Sequence, residues 1–443
     1  MPAATAPLLR SPAADVSATV GAGILWAAVL FNLLLCFADT NLLRLSAAPV
    51  MLVEGAILGA ALLLPLARSR RGPNRMDFLL IGLFGTWLLL SILRQVIDPK
   101  YFRDVAIIPI FVLLGLATRG EGLHRRLFWL HMVIVAFAVW EAISVTNFVS
   151  VFSIGDYFAH TRGKANIDWS VESGLYLSAI RPEARFLFPA LPLHRLSSVF
   201  LEPVSLGNYV VIATIWVAGF WRQIPQRMRM VAAVTTLLLL IGSDSRMATV
   251  TCIALLLALP ARRFIPALAP VLVAPLVIAA MVLAVLALHL QAGTDDFGGR
   301  IGHAVETFRA FTLSNYAGLS LSLLSDAEDA GFAYIVMTQS LLMAVALWVS
   351  LFLRRLRTPE SRYVHLAVAL YVALNLTVSW SLFSIKTAGL LWFLLGKSLR
   401  DDAESADSAG PGAPPRELRA EPRPPATPGA PGAQRLGWLS NSA

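Results

Sequence analysis

Residues 262–290 read RRFIPALAPVLVAPLVIAAMVLAVLALHL. After its two arginines this stretch has no charged residue, and it exceeds the roughly 20 apolar residues that cross the hydrocarbon core of a bilayer. The whole chain of 443 residues has a similar character, since 57% is hydrophobic, 14% is charged and the mean hydropathy is +0.69. Soluble domains carry about 25% charged residues. The composition therefore excludes a water-soluble globular fold and predicts an all-α, polytopic integral membrane protein.

Further apolar runs along the chain predict about 12 transmembrane helices. The candidate spans are 20–37, 46–67, 76–93, 104–118, 127–145, 206–221, 230–242, 247–260, 264–290, 333–353, 363–379 and 381–397. The seventh and eighth spans are short and nearly continuous, which predicts a broken or tilted pair.

Basic residues are concentrated in every second short connection. These arginine-rich connections are 68–75, 119–126, 222–229, 262–263 and 354–362. Because basic loops stay on the cytoplasmic side during insertion, this pattern predicts that both termini are cytoplasmic. The net charge of +9 is thus spread between spans, and no nucleic-acid partner is predicted.

Two connections on the opposite side, at about 146–205 and 291–332, are too long to be turns. Long loops are uncommon unless they are functional. Residues 1–400 are therefore predicted to form one transmembrane domain with these two outer loops. Residues 401–443 are rich in Ala, Pro, Gly and charge, and they predict a disordered cytoplasmic tail.

The first long connection ends in Arg195 and the pair Glu202-Pro203. A proline here predicts a helix start, and a helix N-terminus favours bound anions. The alternatives are an interfacial arginine that snorkels toward headgroups and a loop carboxylate that pairs with a neighbouring arginine. Arg246 is a further cation on this side, and its alternative is a salt bridge with Asp244.

The second long connection is predicted to contain an amphipathic helix near 300–308. Its apolar stripe is Ile301, Val305 and Phe308, and its polar stripe is Arg300, His303 and Thr307. The alternative is an interface helix whose polar face meets water. Asp329 follows, directly before the tenth span.

Arginines on one face of a membrane protein suit a lipid-linked diphosphate, because a guanidinium donates two hydrogen bonds to phosphate oxygens. Glycosyl transfer from such a donor needs a neutralised leaving group and a base for the attacking hydroxyl. Arginines serve the first need, and Glu202, His303 or Asp329 the second. The long outer loops contain no Asp-x-Asp, so neither a metal nor a cofactor is predicted.

Four segments resemble the bacterial O-antigen polymerase and ligase superfamily. They are RLSSVFLEPVSLGNY at 195–209, SDSRMA at 243–248, GRI at 299–301 and DAGFAY at 329–334. Their order makes the resemblance more specific than any one of them, and it covers roughly 195–400.

The resemblance implies a metal-independent glycosyltransferase of the bacterial inner membrane that uses undecaprenyl-diphosphate-linked glycans at the periplasmic face. Arg195, Arg246 and Arg300 would bind the diphosphate. The ligase branch has a histidine in the neighbourhood of Asp329, and this departure argues against ligase activity. The sequence EPVS at 202–205 resembles exopolysaccharide and capsule polymerases more closely. The implied partners are a lipid-linked glycan donor and acceptor, membrane lipid, a chain-length regulator and export machinery.

Two other functions compete with polymerisation. An O-antigen ligase would transfer the glycan to an acceptor that is not a lipid diphosphate. A polysaccharide transporter or flippase would share the topology, but such proteins usually have two similar halves with broken helices, and no such repeat is evident in the sequence.

Overall fold

The computed structural model describes residues 12–68, 74–120, 122–163, 174–180, 185–293, 297–325, 327 and 330–409, which form helices and connections without a β-strand. The first eight helices are α1 (Pro12–Asn41), α2 (Ala47–Arg68), α3 (Arg75–Arg94), α4 (Pro99–Ala117), α5 (Leu123–Ile143), α6 (Val145–Val151), α7 (Ile154–Arg162) and α8 (Pro203–Gly219). The others are α9 (Gln226–Ser243), α10 (Arg246–Ala258), α11 (Ala269–Leu288), α12 (Phe297–Arg309), α13 (Leu313–Tyr316), α14 (Gly331–Gln339), α15 (Leu341–Phe352), α16 (Pro359–Leu376) and α17 (Ile385–Ala409). Short 3-10 segments cover Leu177–Ala179, Ser198–Phe200, Pro260–Phe264 and Ser381–Phe383.

The described part of the chain confirms the prediction of an all-helical fold with several long apolar helices. Among the described residues, five helices are long and apolar enough to cross a bilayer, namely α1, α2, α3, α5 and α11. The pair α14 and α15 adds a sixth if it is one span, although it bends by 112° between Gln339 and Leu341. Other predicted spans are shorter helices or contain charges, such as Arg103 and Asp104 in α4. The count of twelve spans stays a prediction.

Helices α4 and α17 form the most extensive helix contact in the described part of the chain. Glycines allow this approach: a methyl group at Gly115 would overlap the carbonyl oxygen of Phe393, and one at Gly396 would overlap that of Val112. Membrane helices commonly use small residues to pack closely. The contact fixes the position of α17, which carries one residue of the candidate site.

Four of the five arginine-rich connections lie at one end of the bundle. The last turns of α17 reach three of them: Arg400 donates to the Leu116 carbonyl (2.7 Å), Asp401 accepts from Gln223 (3.1 Å), and Asp402 accepts from the Arg357 amide (2.9 Å). The fourth is joined through Arg362, which donates to the Ile265 carbonyl at 3.3 Å. These four arginine-rich loops therefore share one face, as their alternation predicts, while the side of the membrane stays a prediction.

The tail boundary at 401 needs correction for its first residues. Helix α17 continues to Ala409, because Asp402 caps the start of α16 and Arg400 pairs with Glu404 one helical turn further on, at 2.5 Å. The rest of the predicted tail, 410–443, lies outside the described residues.

Candidate active site

Glu202 stands at the end opposite to the arginine-rich loops, where it is the N-cap residue of α8 and is followed by Pro203. One carboxylate oxygen accepts from Arg162, at the end of α7, and the other from Lys386, in the first turn of α17, both at 2.5 Å. The Ser205 hydroxyl donates to the second oxygen at 2.8 Å. Three segments far apart in sequence thus meet on one carboxylate.

The two cations on Glu202 differ in their access to solvent. The side chain of Lys386 is 1% exposed, that of Glu202 is 13% exposed and that of Arg162 is 39% exposed. Burial opposes ionisation of Glu202, but the charges of Arg162 and Lys386 outweigh it and hold the pKa of this carboxyl well below its ordinary value. Glu202 is therefore a carboxylate at neutral pH.

The backbone before Glu202 has two residues with positive φ, Ser198 at 51° and Leu201 at 62°. Non-glycine residues pay a conformational cost in this region, so other contacts must stabilise it. The Lys386 ammonium donates to the Phe200 carbonyl at 3.0 Å, between these two residues. Lys386 therefore holds both the carboxylate and the turn that presents it.

Glu141, near the end of α5, supports the same turn from the other side. Its side chain is fully buried and accepts from the backbone amides of Ser197 (2.9 Å) and Ser198 (2.6 Å), and from His194 (3.1 Å). A carboxylate that receives backbone amides satisfies groups that would otherwise be buried without a partner. Glu141 is thus a positioning residue for the segment that leads to Glu202.

Arg195, predicted to bind diphosphate, is 7% exposed. Its guanidinium donates to the carbonyls of Ser178 (2.9 Å) and Ser243 (3.2 Å). Arg185 also donates to backbone carbonyls, those of Leu193 at 2.7 Å and His194 at 2.9 Å. Arg195 thereby joins the long connection before α8 to the end of α9, and Arg185 does the same through the carbonyls of Ile241 and Gly242.

Arg246 begins α10, and its guanidinium carbon lies 5.7 Å from the centre of the Phe186 ring. Asp244 accepts from the backbone amides of Phe186 (3.0 Å) and Leu187 (2.6 Å). The connection between α9 and α10 packs closely on α8, because a methyl group at Gly207 would overlap Ser245. Arg195, Arg246 and Glu202 therefore surround the same end of α8.

Arg300 and His303 lie on α12, so the predicted helix in the second long loop is confirmed. Its polar stripe needs one correction, because Thr307 is buried and its hydroxyl donates to the His303 carbonyl at 2.9 Å. Helix α12 packs against α11 and α14, whereas α8 packs against α9, α10, α16 and α17. Asp329 lies outside the described residues.

A second group of charged side chains lies beside Glu202. Arg103 contacts Glu54 at 2.5 Å and Asp104 at 2.7 Å, and the Tyr334 hydroxyl donates to Asp104 at 2.6 Å. Helix α2 packs against α4 and α7, and α4 packs against α17. The two groups therefore lie on neighbouring helices.

An apolar cavity of about 710 Å³ lies between α11, α12, α14, α15 and α16. Its wall includes Leu382 and Phe383, and Lys386 follows them on the next turn. Arg309 and Tyr316 also border it. The cavity offers space for a hydrocarbon chain. Within the described residues no cluster of three His, Cys, Asp or Glu is arranged to hold a metal ion.

Sequence reasoning did not select Arg162, Lys386 or Glu141. Lys386 and Glu141 had a usable signal, because an ionisable residue inside an apolar segment is costly and needs a partner. Arg162 had none, since it is one of several charges in a long connection. The alternative reading of Glu202, a carboxylate paired with an arginine, describes the observed contact with Arg162.

The chain has no match among protein-family models, among curated proteins or among solved structures.

Proposed function

We propose that this protein is a membrane glycosyltransferase that polymerises undecaprenyl-diphosphate-linked oligosaccharide repeat units at the periplasmic face of a bacterial inner membrane. The proposal includes twelve spans, cytoplasmic termini and two periplasmic loops. The observation that carries it is the ionised Glu202 carboxylate beside a half-exposed arginine, at the end of the bundle opposite to the arginine-rich loops.

The reaction needs a base and a cation at one place. Glu202 would take the proton of the acceptor hydroxyl, whose oxygen forms a bond to the anomeric carbon of the donor sugar. The bond from that carbon to the diphosphate oxygen breaks, and the diphosphate leaves with the electron pair. Cationic side chains stabilise this negative charge. His303 and Asp329 stay alternative bases, and Arg195, Arg246 and Arg300 stay proposed diphosphate ligands.

The apolar cavity supports a lipid-linked substrate. Its wall is almost entirely apolar. Two of its lining residues, Leu382 and Phe383, shortly precede Lys386 in the sequence. A polyprenyl chain in the cavity would place the attached diphosphate near Glu202 and Arg162. The polymer would then grow in the polar region outside the bilayer.

The direct test incubates the purified protein with lipid-linked repeat units, without ATP or added metal, and measures chain length. Wild type should form polymer, and Glu202→Gln should lower the rate by about 100-fold or more, the usual contribution of a general base. Arg195→Ala or Arg300→Ala should leave single repeats unused at unchanged protein level. Polymer formation by all three variants at the wild-type rate would refute the proposal.

Transport is the second candidate function, and the break between α14 and α15 favours it. The bend of 112° interrupts an apolar helix pair, and transporters often bind substrate at broken helices. A flippase would move lipid-linked repeats across vesicle membranes without changing their length. The polymerisation assay therefore separates the two functions, because only an enzyme produces longer chains.

A further inference from the structure

The carboxylate of Glu202 occupies a place suited to an external anion. It accepts from a guanidinium, an ammonium and a hydroxyl at once, which are the donors that phosphate oxygens also prefer. The cluster of Arg162, Lys386 and Glu202 carries one more positive than negative charge. The neighbouring group of Arg103, Glu54 and Asp104 carries one more negative than positive charge, so an anion that binds to Arg162 must compete with carboxylates.

Access to the cluster is through Arg162. Its side chain is 39% exposed, and its guanidinium also stacks 4.3 Å from the Phe158 ring centre, which orients the flat cation. Lys386, in contrast, is enclosed and is held by the Phe200 carbonyl as well as by Glu202. An arriving anion would reach Arg162 first and leave the Lys386 contact in place.

From this asymmetry we propose that the Glu202 carboxylate occupies, in the resting protein, the position on Arg162 that the substrate diphosphate occupies after binding. The arriving diphosphate displaces Glu202 from Arg162. This inference rests on the proposed function and deepens it. In the resting protein Arg162 pairs with Glu202, the proposed catalytic base, and neutralises its charge. In the complex Arg162 holds the diphosphate, while Lys386 and Ser205 keep the freed carboxylate in position.

The exchange links binding to catalysis. Once Arg162 has moved, Glu202 loses one of the two charges that suppress its basicity and becomes able to accept the proton of the acceptor hydroxyl. The other charged groups of the neighbouring region keep their contacts, because Arg103 remains paired with both Glu54 and Asp104. The carboxylate is thus a better base when the donor diphosphate is bound than in the resting protein.

Binding of geranyl diphosphate, a short soluble prenyl diphosphate, to the full-length protein in detergent tests the exchange. Titration calorimetry should find that Glu202→Gln binds this probe about tenfold more tightly than wild type, because no carboxylate competes for Arg162. Arg162→Ala should bind it at least tenfold more weakly. Ser205→Ala, which removes the hydrogen bond that keeps the freed carboxylate in position, should weaken binding by about two- to threefold, and it provides a second test if the glutamine variant misfolds.

A matched pair at the other end of the bundle provides the control. Arg222 and Glu360 form an exposed ion pair at 3.5 Å, so Arg222→Ala and Glu360→Gln should bind the probe like wild type. Equal or weaker binding by Glu202→Gln, tighter binding by Ser205→Ala, or unchanged binding by Arg162→Ala would overturn the exchange.

The two proposals fail in different ways. Tighter binding by Glu202→Gln together with a wild-type protein that forms no polymer would keep the exchange and reject the polymerase. If polymer formation requires Glu202 but wild type and Glu202→Gln bind geranyl diphosphate equally well, the polymerase proposal stands and the exchange is rejected.

Discussion

Glu202 is the residue on which three segments of the chain depend. Its replacement by glutamine leaves the enclosed Lys386 ammonium without a counter-charge, and loss of one partner of a buried ion pair typically costs about 3 to 5 kcal/mol. Because Arg162 is partly exposed, we expect a value of about 3 kcal/mol. Thermal unfolding of the purified protein in detergent should show Glu202→Gln melting clearly below wild type at pH 7.

The pH dependence of this difference follows from the sign of the shift. The pKa of Glu202 in the folded protein lies below its ordinary value of 4.5, so its contribution to stability is complete above that pH. The contribution is lost as the pH falls toward the folded-state pKa, because the unfolded chain binds the proton first. The gap in melting temperature between wild type and Glu202→Gln should be constant from pH 8 to 6 and shrink below pH 4.5. A gap that widens in acid would contradict the assignment.

Glu141 offers a second prediction for a single residue. Glu141→Ala removes the acceptor for two buried backbone amides, each worth about 1 to 3 kcal/mol when left without a partner. The turn that presents Glu202 should loosen, so geranyl diphosphate binding and stability should both fall. Glu360→Ala, the removal of an exposed carboxylate at the other end of the bundle, should change neither property.

Single residues also show why the sequence revealed only part of the site. Glu202-Pro203 carried a local signal, a carboxylate at a helix start, and the structure has that helix start. Its partners come from 40 residues before and 184 residues after it, and no local pattern contains such a distance. Arg195 was selected because of its position in a motif, but the carbonyls that surround it come from tertiary packing.

The close packing of α4 and α17 makes Gly115 and Gly396 sensitive to substitution by larger residues. A side chain at either would overlap the facing backbone, and overpacking of this kind typically costs about 1 to 3 kcal/mol or more when backbone must move. Gly396→Val should therefore lower the melting temperature and displace Lys386 from Glu202, with loss of polymerisation. Gly59→Val on α2, where nothing lies within 4 Å of an added methyl group, is the matched control and should be tolerated.

The break between α14 and α15 is held by Arg94 at the end of α3. Its guanidinium donates to the carbonyls of Gly318 (2.5 Å), Met337 (2.8 Å) and Thr338 (3.2 Å), next to Ser340 with its φ of 80°. A cation at a helix C-terminus is favourable, and the contacts offset backbone strain. Arg94→Met should raise hydrogen exchange of amides near Ser340 by about tenfold or more, whereas Arg222→Met should leave it unchanged.

At the level of elements, the apolar runs predicted most helices, because a backbone segment in lipid must satisfy its own hydrogen bonds and a helix does so. The bend at Ser340 was not predicted, since the run 333–353 is continuous in hydropathy and the bend depends on Arg94 from another helix. The amphipathic helix near 300–308 was predicted because its apolar spacing is local. Burial of Thr307 was not, because it requires the neighbouring helices.

The whole molecule has two chemically distinct ends, and α17 connects them. Lys386 contacts Glu202 at one end, and Arg400 contacts Leu116 at the other, about 21 Å away along the helix at 1.5 Å per residue. The alternation of basic loops predicts that the Arg400 end is cytoplasmic. The Glu202 end, where a polymer would leave, is then outside.

Cysteine labelling tests this orientation, because both native cysteines, Cys36 and Cys252, are buried. Leu313 is 86% exposed in the connection that Arg94 ties to the end of α3, and the Arg222 side chain is 73% exposed at the opposite end. In intact spheroplasts, a maleimide that cannot cross the membrane should label Leu313→Cys and leave Arg222→Cys unlabelled. Permeabilisation should make Arg222→Cys reactive, while the wild-type protein sets the background. If only Arg222→Cys is labelled in intact cells, the Glu202 site faces the cytosol, where a periplasmic polymerase could not use it. That result would refute both the proposed topology and the proposed function.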